Sequence, residues 1–465
     1  MRTGMTQQKA AGLTRSAGLL LLVALSVGAC ARRNRVGPER GTRAARDAAL
    51  TGDATKVYEQ MGLLAAGSPV PFVGSVAYLA GTRDTTTIVL SFSMPNQALS
   101  FTREGDRYRA AYEIRIDLRQ GSANVRHIET QETVRVASFR ETSRPDESVI
   151  FQQVLSVPPG QYVLAVAVRD PGSSRTSSEE LLLTVPSLGA GKLSTPIAVF
   201  DAVARSTVDS IPRFIAQPRA TVTFGRDTVV PVYVEGYGEA ARIPLIASVT
   251  GERGVVLWRD SVDLVRTGSV ANTTLRIPAS RLGLGVTTLT VRRPDTGDST
   301  KTPLFVSFGD DLPLASYEEM LNYLRYFTTA ERLDVLRRAP VEARAREWAA
   351  FLAETDPQPS TPQHEALTEY FARVRIATDR FREEGLPGWI TDRGMVFITL
   401  GEPEQIYEQG GGSDMNQRGR AQAWEYREHQ IQLVFVDQTG FGRWRLTNAS
   451  EADFRRVAQR TRTRK

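Results

Sequence analysis

The spacing of apolar residues changes once along this chain, near residue 312. Before that point the apolar residues alternate with largely charged ones. The alternation is clearest over residues 108–119, where the apolar members are Tyr108, Ala110, Tyr112, Ile114, Ile116 and Leu118. A period of two is that of a half-buried strand. Beyond residue 312 the period is helical, as at Val341, Ala345, Trp348 and Leu352. The pattern predicts an all-β part followed by a part that contains helices.

The β part consists of short predicted strands separated by Pro, Gly, Asp and Ser. In its first half we predict strands at 87–92, 108–119, 129–139, 148–156, 162–169 and 180–185. An internal repeat extends the pattern, because Pro158 and Pro278 occupy matching turns 120 positions apart. Repetition at this offset indicates two units of the same kind. We therefore predict two tandem all-β sandwich domains of the immunoglobulin or fibronectin III kind, at residues 69–190 and 195–308.

The C-terminal part, residues 312–450, is predicted to be an α+β domain. Ser316 with Glu319 and Thr328 with Glu331 have the spacing of capping boxes at helix starts, and Thr361 before Pro362 indicates a third start. After Gly385 we predict strands at 395–400, 423–427, 431–436 and 443–446, with an exposed loop around Gly410–Gly412. The last residues, 451–465, are predicted to form a basic tail.

The N-terminal 29 residues carry three basic residues and no acidic one, and they contain the apolar run Leu19–Leu25. A basic head before a short apolar stretch is typical of a secretory signal, and an uncleaved anchor is the alternative. The run ends Val-Gly-Ala before Cys30, which resembles the lipobox of bacterial lipoproteins. The resemblance implies cleavage before Cys30 and lipid on its thiol. We predict a signal peptide at 1–29, then lipidated Cys30 and a tether over 30–68.

Composition excludes several classes of protein. Cys30 is the only cysteine, so an intramolecular disulfide and a zinc–cysteine cluster are excluded. The formal charge is +6, of which the signal contributes three, and much of the remainder lies near the two ends of the mature chain. In an exported lipoprotein, terminal arginines favour a solvated tail or contact with anionic headgroups over nucleic acid. We therefore predict no nucleic-acid partner.

The segment GWITDRGMVFITLGEPEQIYE, from Gly388 to Glu408, resembles the signature of the GWxTD domain, a bacterial family. The resemblance extends over about 312–450. It implies an architecture without an established reaction. The residues of the motif that are candidates for binding are Gly388, Trp389, Thr391, Asp392, Arg393 and Gly394.

Each candidate also has a structural interpretation. Trp389 after a glycine is either a buried wedge or a stacking platform for a ligand, and the wedge is favoured. Thr391 and Asp392 are expected to bond nearby backbone amides and to form the turn into a strand at Met395. The alternative is a functional carboxylate that Arg393 holds in place.

No catalytic constellation is recognisable in the sequence. His127, His364 and His429 fall in different predicted elements, and the chain has no HExxH, GxSxG or P-loop motif. Six carboxylates are candidates for an acid pair: Glu365, Asp392, Glu402, Glu404, Glu425 and Asp437. We assign no catalytic residue, expect no metal and no cofactor, and favour a non-enzymatic protein.

The leading hypothesis is an envelope lipoprotein, anchored by its N-terminal lipid, whose C-terminal domain recognises an envelope protein or a glycan. One alternative is an envelope hydrolase that uses the carboxylates of the C-terminal domain. Another is an accessory lipoprotein of outer-membrane protein assembly, since the C-terminal segments are similar to SmpA-like lipoproteins. Ala31 is not the aspartate of inner-membrane retention, so the outer membrane is favoured over the inner.

Overall fold

The N-terminal β unit consists of two sheets around one core. The structure, a computed structural model, describes residues 54–143, 148–309, 312–361, 364–409 and 420–463. One sheet has the order β1 (Leu64–Ala66), β2 (Phe72–Ala80), β3 (Thr86–Pro95) and β7 (Ser148–Val157). The other has the order β4 (Thr102–Glu104), β5 (Arg107–Gln120), β8 (Gly160–Asp170) and β9 (Arg175–Val185), with β6 (Ala123–Val136) paired to β5. Apolar side chains from both sheets, among them Phe92 and Ile114, form one cluster.

The nine strands of the second β unit are linked by hydrogen bonds in one continuous order. Its strands are β10 (Ile197–Val203), β11 (Arg213–Ala216), β12 (Thr221–Val222), β13 (Val229–Gly236), β14 (Arg242–Thr250), β15 (Val256–Thr267), β16 (Val270–Pro278), β17 (Gly285–Arg292) and β18 (Ser299–Val306). Their order is β11-β10-β13-β16-β15-β14-β17-β18-β12. The 12-residue β15 pairs with β14 along most of its length and with β16 at its C-terminal end. Because one long strand pairs along both edges, the sheet remains unbroken.

The predicted tether over 30–68 is too long at its C-terminal end. Helix α1 (Ala54–Gln60) and strand β1 lie within it. Tyr58, Met61 and Leu63 are buried in a cluster with Phe305 of β18, so apolar burial holds this segment on the body. Cys30, the predicted signal peptide and the remainder of the tether lie outside the described residues.

A buried ion pair joins the two β units. Arg205 and Glu235 have side chains 2% and 0% exposed, and two guanidinium nitrogens donate to the two carboxylate oxygens over 2.6 and 2.7 Å. Arg205 also donates to the carbonyl of Ala80 on β2, over 2.8 Å. The hydroxyls of Tyr233 and Tyr237 donate to Glu235. Every lone pair and proton of this pair thus has a nearby partner, as a buried ion pair requires.

The C-terminal part contains six helices and a four-stranded sheet among the described residues. A short helix, α2 (Phe139–Ser143), belongs to the first β unit; the others are α3 (Tyr317–Tyr323), α4 (Ala330–Arg338), α5 (Arg344–Thr355), α6 (Glu365–Arg380), α7 (Asp392–Leu400) and α8 (Asn448–Thr463). The sheet has the order β19 (Gln405–Gln409), β20 (Arg420–Tyr426), β21 (Ile431–Asp437) and β22 (Arg445–Leu446). One hydrophobic cluster runs from the second β unit through these helices to the sheet.

Two predicted elements in this part are wrong. Residues 395–400 belong to helix α7 and not to a strand. Val396, Phe397, Ile398 and Thr399 are all buried, and a short apolar run that is buried on every side shows neither period. The predicted basic tail is helix α8, in which Phe454, Val457 and Ala458 are buried.

The helix starts are only partly as predicted. Ser316 and Glu319 form a complete capping box. The next N-cap is Thr329, one residue after the predicted Thr328. Helix α6 is capped by His364 instead of Thr361, since Nδ1 of His364 accepts from the amide of Leu367 over 3.2 Å. Pro362 and the Gly410–Gly412 loop lie outside the described residues. No helix in the described ranges is long and apolar enough to span a bilayer.

Candidate functional site

The two glycines of the motif lie where backbones meet. A Cβ on Gly388 would be 1.9 Å from the carbonyl oxygen of Ala377 in α6, and a Cβ on Gly394 would be 1.9 Å from the carbonyl oxygen of Gly388. Neither position tolerates a side chain without movement of backbone. Gly388 therefore brings its segment against the end of α6, and Gly394 brings α7 against that segment. Both glycines serve close packing.

Thr391 starts helix α7. Its hydroxyl donates to the carbonyl of Gly388 over 2.8 Å and accepts from the amide of Gly394 over 3.1 Å. This is N-cap geometry, which satisfies an otherwise unpaired amide of the first turn. Thr391 thus bonds nearby backbone, as its structural interpretation predicts, but it leads into a helix and not into a strand.

Trp389 is 1% exposed, which agrees with the wedge and not with a stacking platform. Its ring centroid lies 5.1 Å from that of Tyr323 and 6.4 Å from that of Tyr326. The guanidinium carbon of Arg325 lies 4.7 Å from the ring centroid, which is cation–π distance. The indole therefore joins the segment 388–391 to helix α3 and the turn that follows it.

Asp392 and Glu383 hold the last strand of the sheet. A carboxylate oxygen of Asp392 accepts from the amide of Leu446 over 2.8 Å, and one of Glu383 accepts from the amide of Trp444 over 3.1 Å. A single guanidinium nitrogen of Arg445 lies 3.9 Å from Asp392 and 3.7 Å from Glu383. Asp392 thus bonds a distant amide and not a neighbouring one.

The carboxyl group of Glu383 has no exposed surface, and this burial raises its pKa. The hydrogen bond from Trp444 and the charges of Arg445 and Arg393 oppose the increase, and the charge of Asp392 adds to it. The protonated form of Glu383 is therefore favoured to a higher pH than in an exposed glutamate.

Arg393 lies between aromatic rings. Its guanidinium carbon is 4.9 Å from the ring centroid of Trp444 and 5.6 Å from that of Phe381. Arg420 also contacts Trp444, at 5.6 Å. Burial lowers the pKa of Arg393, and the negative charges of Glu383 and Asp437 oppose this decrease. Arg393 therefore joins the end of α6 to the segment before β22, and the arginine that lies near Asp392 is Arg445 instead.

The loop between β21 and β22 is built around Asp437. This carboxylate accepts from the amides of Gly440 and Gly442, over 2.9 and 2.8 Å, and from the hydroxyl of Thr439. Its side chain has no exposed surface; burial acts to raise the pKa, but the hydrogen bonds outweigh burial and lower it. Both glycines have positive φ, 75° and 81°, which permits the tight path. Phe441, at the tip, is 82% exposed.

The remaining carboxylates that the sequence analysis named do not form one cluster. Glu402 pairs with Arg380 at the surface, over 2.6 Å. On the β20–β21 ladder, Glu425 faces Gln432 while Arg420 faces Asp437. Five strand residues span about 17 Å. A glycosidase pair needs about 5–9.5 Å, so Glu425 and Asp437 cannot act on one bond.

Of the other two carboxylates, Glu365 is in the first turn of α6. Glu404 lies beside Glu425: its amide donates to the carbonyl of Glu425 over 3.0 Å, and both side chains contact Arg427 at the surface. His127 contacts Asp117 on the first β unit, and His429 lies in the turn between β20 and β21. Among the described residues, no three His, Cys, Asp or Glu side chains are grouped to hold a metal ion.

Sequence reasoning missed three residues of this region: Glu383, Trp444 and Phe441. Glu383 and Trp444 bond to each other across 61 positions of sequence, whereas Phe441 belongs to a local loop. The available signal was DQTGFG, where aspartate precedes two glycines at turn spacing.

Comparison with known proteins identifies this region. Residues 291–445 match the family model of the GWxTD domain, so the match begins at the end of β17 and includes β18, the last strand of the second β unit in the chain. No curated protein matches the chain.

Solved structures resemble the chain only distantly. Dimeric latent PorU from Porphyromonas gingivalis is 9% identical with a TM-score of 0.24, over 50% of this chain and 20% of that one. Trypsin-activated alpha-2-macroglobulin from Escherichia coli is 9% identical with a TM-score of 0.18, over 53% and 17%. Bifidobacterium dentium beta-glucuronidase, complexed with coumarin-3-O-glucuronide, is 8% identical with a TM-score of 0.17, over 47% and 39%. The chain thus spans well under half the length of each, and at these scores the likeness carries no inference. The family match falls on the residues whose packing is described above, and this chain is a GWxTD domain-containing protein.

Proposed function

We propose that the protein is a lipid-anchored envelope protein that binds a partner through the loop between β21 and β22. The observation that carries this proposal is Phe441, 82% exposed at the tip of a loop whose base is fixed by a buried carboxylate. Arg443 and Arg445 follow it, with side chains 55% and 56% exposed. Aromatic residues and arginine are the types that dominate binding energy at interfaces.

The motif supports this proposal by its packing. Gly388, Trp389, Thr391 and Gly394 are buried. The two glycines pack against backbone, Thr391 bonds to backbone, and Trp389 packs against Tyr323. Asp392 holds the amide of Leu446, just beyond the loop. Recognition therefore belongs to the surface that these residues hold in place. Preorganisation of such a loop lowers the entropic cost of binding.

The β units are proposed to be spacers between the lipid anchor and the C-terminal domain. In the first unit the hydroxyl of Tyr162 donates to the carbonyl of Pro158 over 2.9 Å. A tyrosine bonded to backbone a few residues upstream is found in immunoglobulin-like sandwiches, and this favours an immunoglobulin-like first unit. The lipid on Cys30, the outer membrane as location and the envelope partner, protein or glycan, rest on the sequence.

The binding role is tested by placing a photo-crosslinking amino acid at position 441 in cells of the native organism. Position 139 is the matched control, because Phe139 is 67% exposed on the first β unit. We expect position 441 to give one discrete envelope adduct that position 139 does not give, and Phe441→Ala to remove co-isolation of that component. Identical adducts from both positions would refute the proposal.

The anchor is tested separately. Cys30→Ala is expected to abolish incorporation of labelled fatty acid and to release the protein from the membrane fraction. Retention of the unlabelled protein in that fraction to the same extent as the parent would contradict lipid anchoring.

A further inference from the structure

The positive charge of this chain is concentrated near its two ends. Residues 420–465 contain ten Lys and Arg against five Asp and Glu, a net charge of +5. Residues 30–419 contain 45 against 47, a net charge of −2. Within that stretch, residues 31–46 contain six Arg against one Glu, a net charge of +5. The chain is therefore acidic over most of its length and basic near both ends, a distribution that requires a physical account.

Helix α8 presents part of this charge on its exposed face. Its apolar side faces the body and is built by Phe454, Val457 and Ala458. After the first turn, exposed residues recur along the helix at intervals of three and four, at Ala452, Arg455, Arg456, Gln459 and Arg460. This spacing places them on one face. We call these five residues the cationic stripe.

Stabilisation of the helix does not account for the stripe. A helix dipole favours cations in the last turn only, and Arg455 and Arg456 lie in the middle of the 16-residue helix. Each has one acidic neighbour within the helix, Glu451 and Asp453 respectively, yet their side chains remain 75% and 62% exposed. Exposed pairs of this kind contribute little to stability. Arg455 and Arg456 are therefore accessible to a partner outside the chain.

We propose that the cationic stripe docks on the anionic phospholipid headgroups of a bilayer. The stripe contains no aromatic or large aliphatic residue, which the core of a protein interface requires. A layer of anionic headgroups requires only accessible positive charge. This inference rests on the proposed membrane anchor for its setting, since an acyl anchor and a basic patch act together to hold a protein at a bilayer.

The test measures sedimentation of the full chain with vesicles. The protein carries Cys30→Ala, so that no acyl chain contributes, and the vesicles are phosphatidylcholine with or without phosphatidylglycerol. We expect binding only with phosphatidylglycerol, weakened by salt. R455Q, R456Q and R460Q together are expected to lower binding about a hundredfold, since each arginine near an anionic surface contributes about fivefold.

The matched control is R242Q, R338Q and R346Q, which removes the same charge from side chains that are 72%, 83% and 79% exposed elsewhere. Its binding is expected to equal that of the parent. Equal loss in both triple variants would overturn the proposal, because net charge alone would then explain it. Vesicle binding that the stripe variant leaves unchanged would also overturn the proposal. The same holds if that variant keeps vesicle binding and loses an acidic protein partner. The loop crosslink at position 441 needs no vesicle, so the two proposals fail separately.

Discussion

Gly388→Ala tests whether close backbone packing is the reason for glycine in the motif. A Cβ at this position would lie 1.9 Å from the carbonyl oxygen of Ala377, 2.7 Å from the carbonyl carbon of Phe381 and 2.8 Å from the amide nitrogen of Arg382. All three are backbone atoms, so the strain is relieved only if the 388–391 segment moves away from α6. Overpacking costs about 1–3 kcal/mol, and a contact with rigid backbone belongs at the upper end.

A smaller effect opposes this cost. Replacing glycine by alanine reduces the conformational entropy of the unfolded chain, which stabilises the folded state by about 0.4–1 kcal/mol. Gly388 does not have a positive φ, so its backbone conformation adds no penalty. The expected net loss in the free energy of unfolding is about 2–3 kcal/mol.

The assay is urea unfolding, followed by the fluorescence of tryptophan, since Trp389 adjoins the substitution. Gly189→Ala is the control, because Gly189 has no atom within 4 Å of its ideal Cβ and lacks a positive φ. That variant is expected to be neutral or slightly stabilised. Equal stability of the two variants would refute the argument from close approach.

Two further predictions concern charged groups. Glu235→Gln leaves Arg205 buried without its counter-charge and is expected to lower the free energy of unfolding by about 3–5 kcal/mol. The control is Glu354→Gln, in the surface pair with Arg332, which is expected to lower it by less than about 1 kcal/mol. Similar urea midpoints for the two variants would contradict the role of the buried pair. Because burial raises the pKa of Glu383, its contribution to stability is present below the ordinary value of 4.5 and is lost as pH rises through the raised pKa. Glu383→Gln is expected to remove that part of the pH dependence, and unfolding curves of parent and variant that change in parallel from acid to neutral pH would show the reasoning to be wrong.

Some features of the candidate site were accessible from the sequence and others were not. The motif and the burial of Trp389 could be predicted from the sequence, because glycine beside tryptophan is a local signal. The contact of Asp392 with Leu446, 54 residues away, was not. Glu383 was not singled out at all, since nothing near it in the sequence marks a glutamate that folding will bury.

The sequence by itself determined the change from β to α structure near residue 312, the repeated β hairpins and the GWxTD segment. Periodicity and short motifs are properties of neighbouring residues, so they require no knowledge of the fold. Only the tertiary structure decided that residues 395–400 are helical, because a segment buried on every side carries no period. It also decided that residues 448–463 form a packed helix instead of a tail, since the partners of Phe454, Val457 and Ala458 come from distant parts of the chain. The continuous sheet of the second β unit was decided in the same way, by the pairing of β15 along both of its edges.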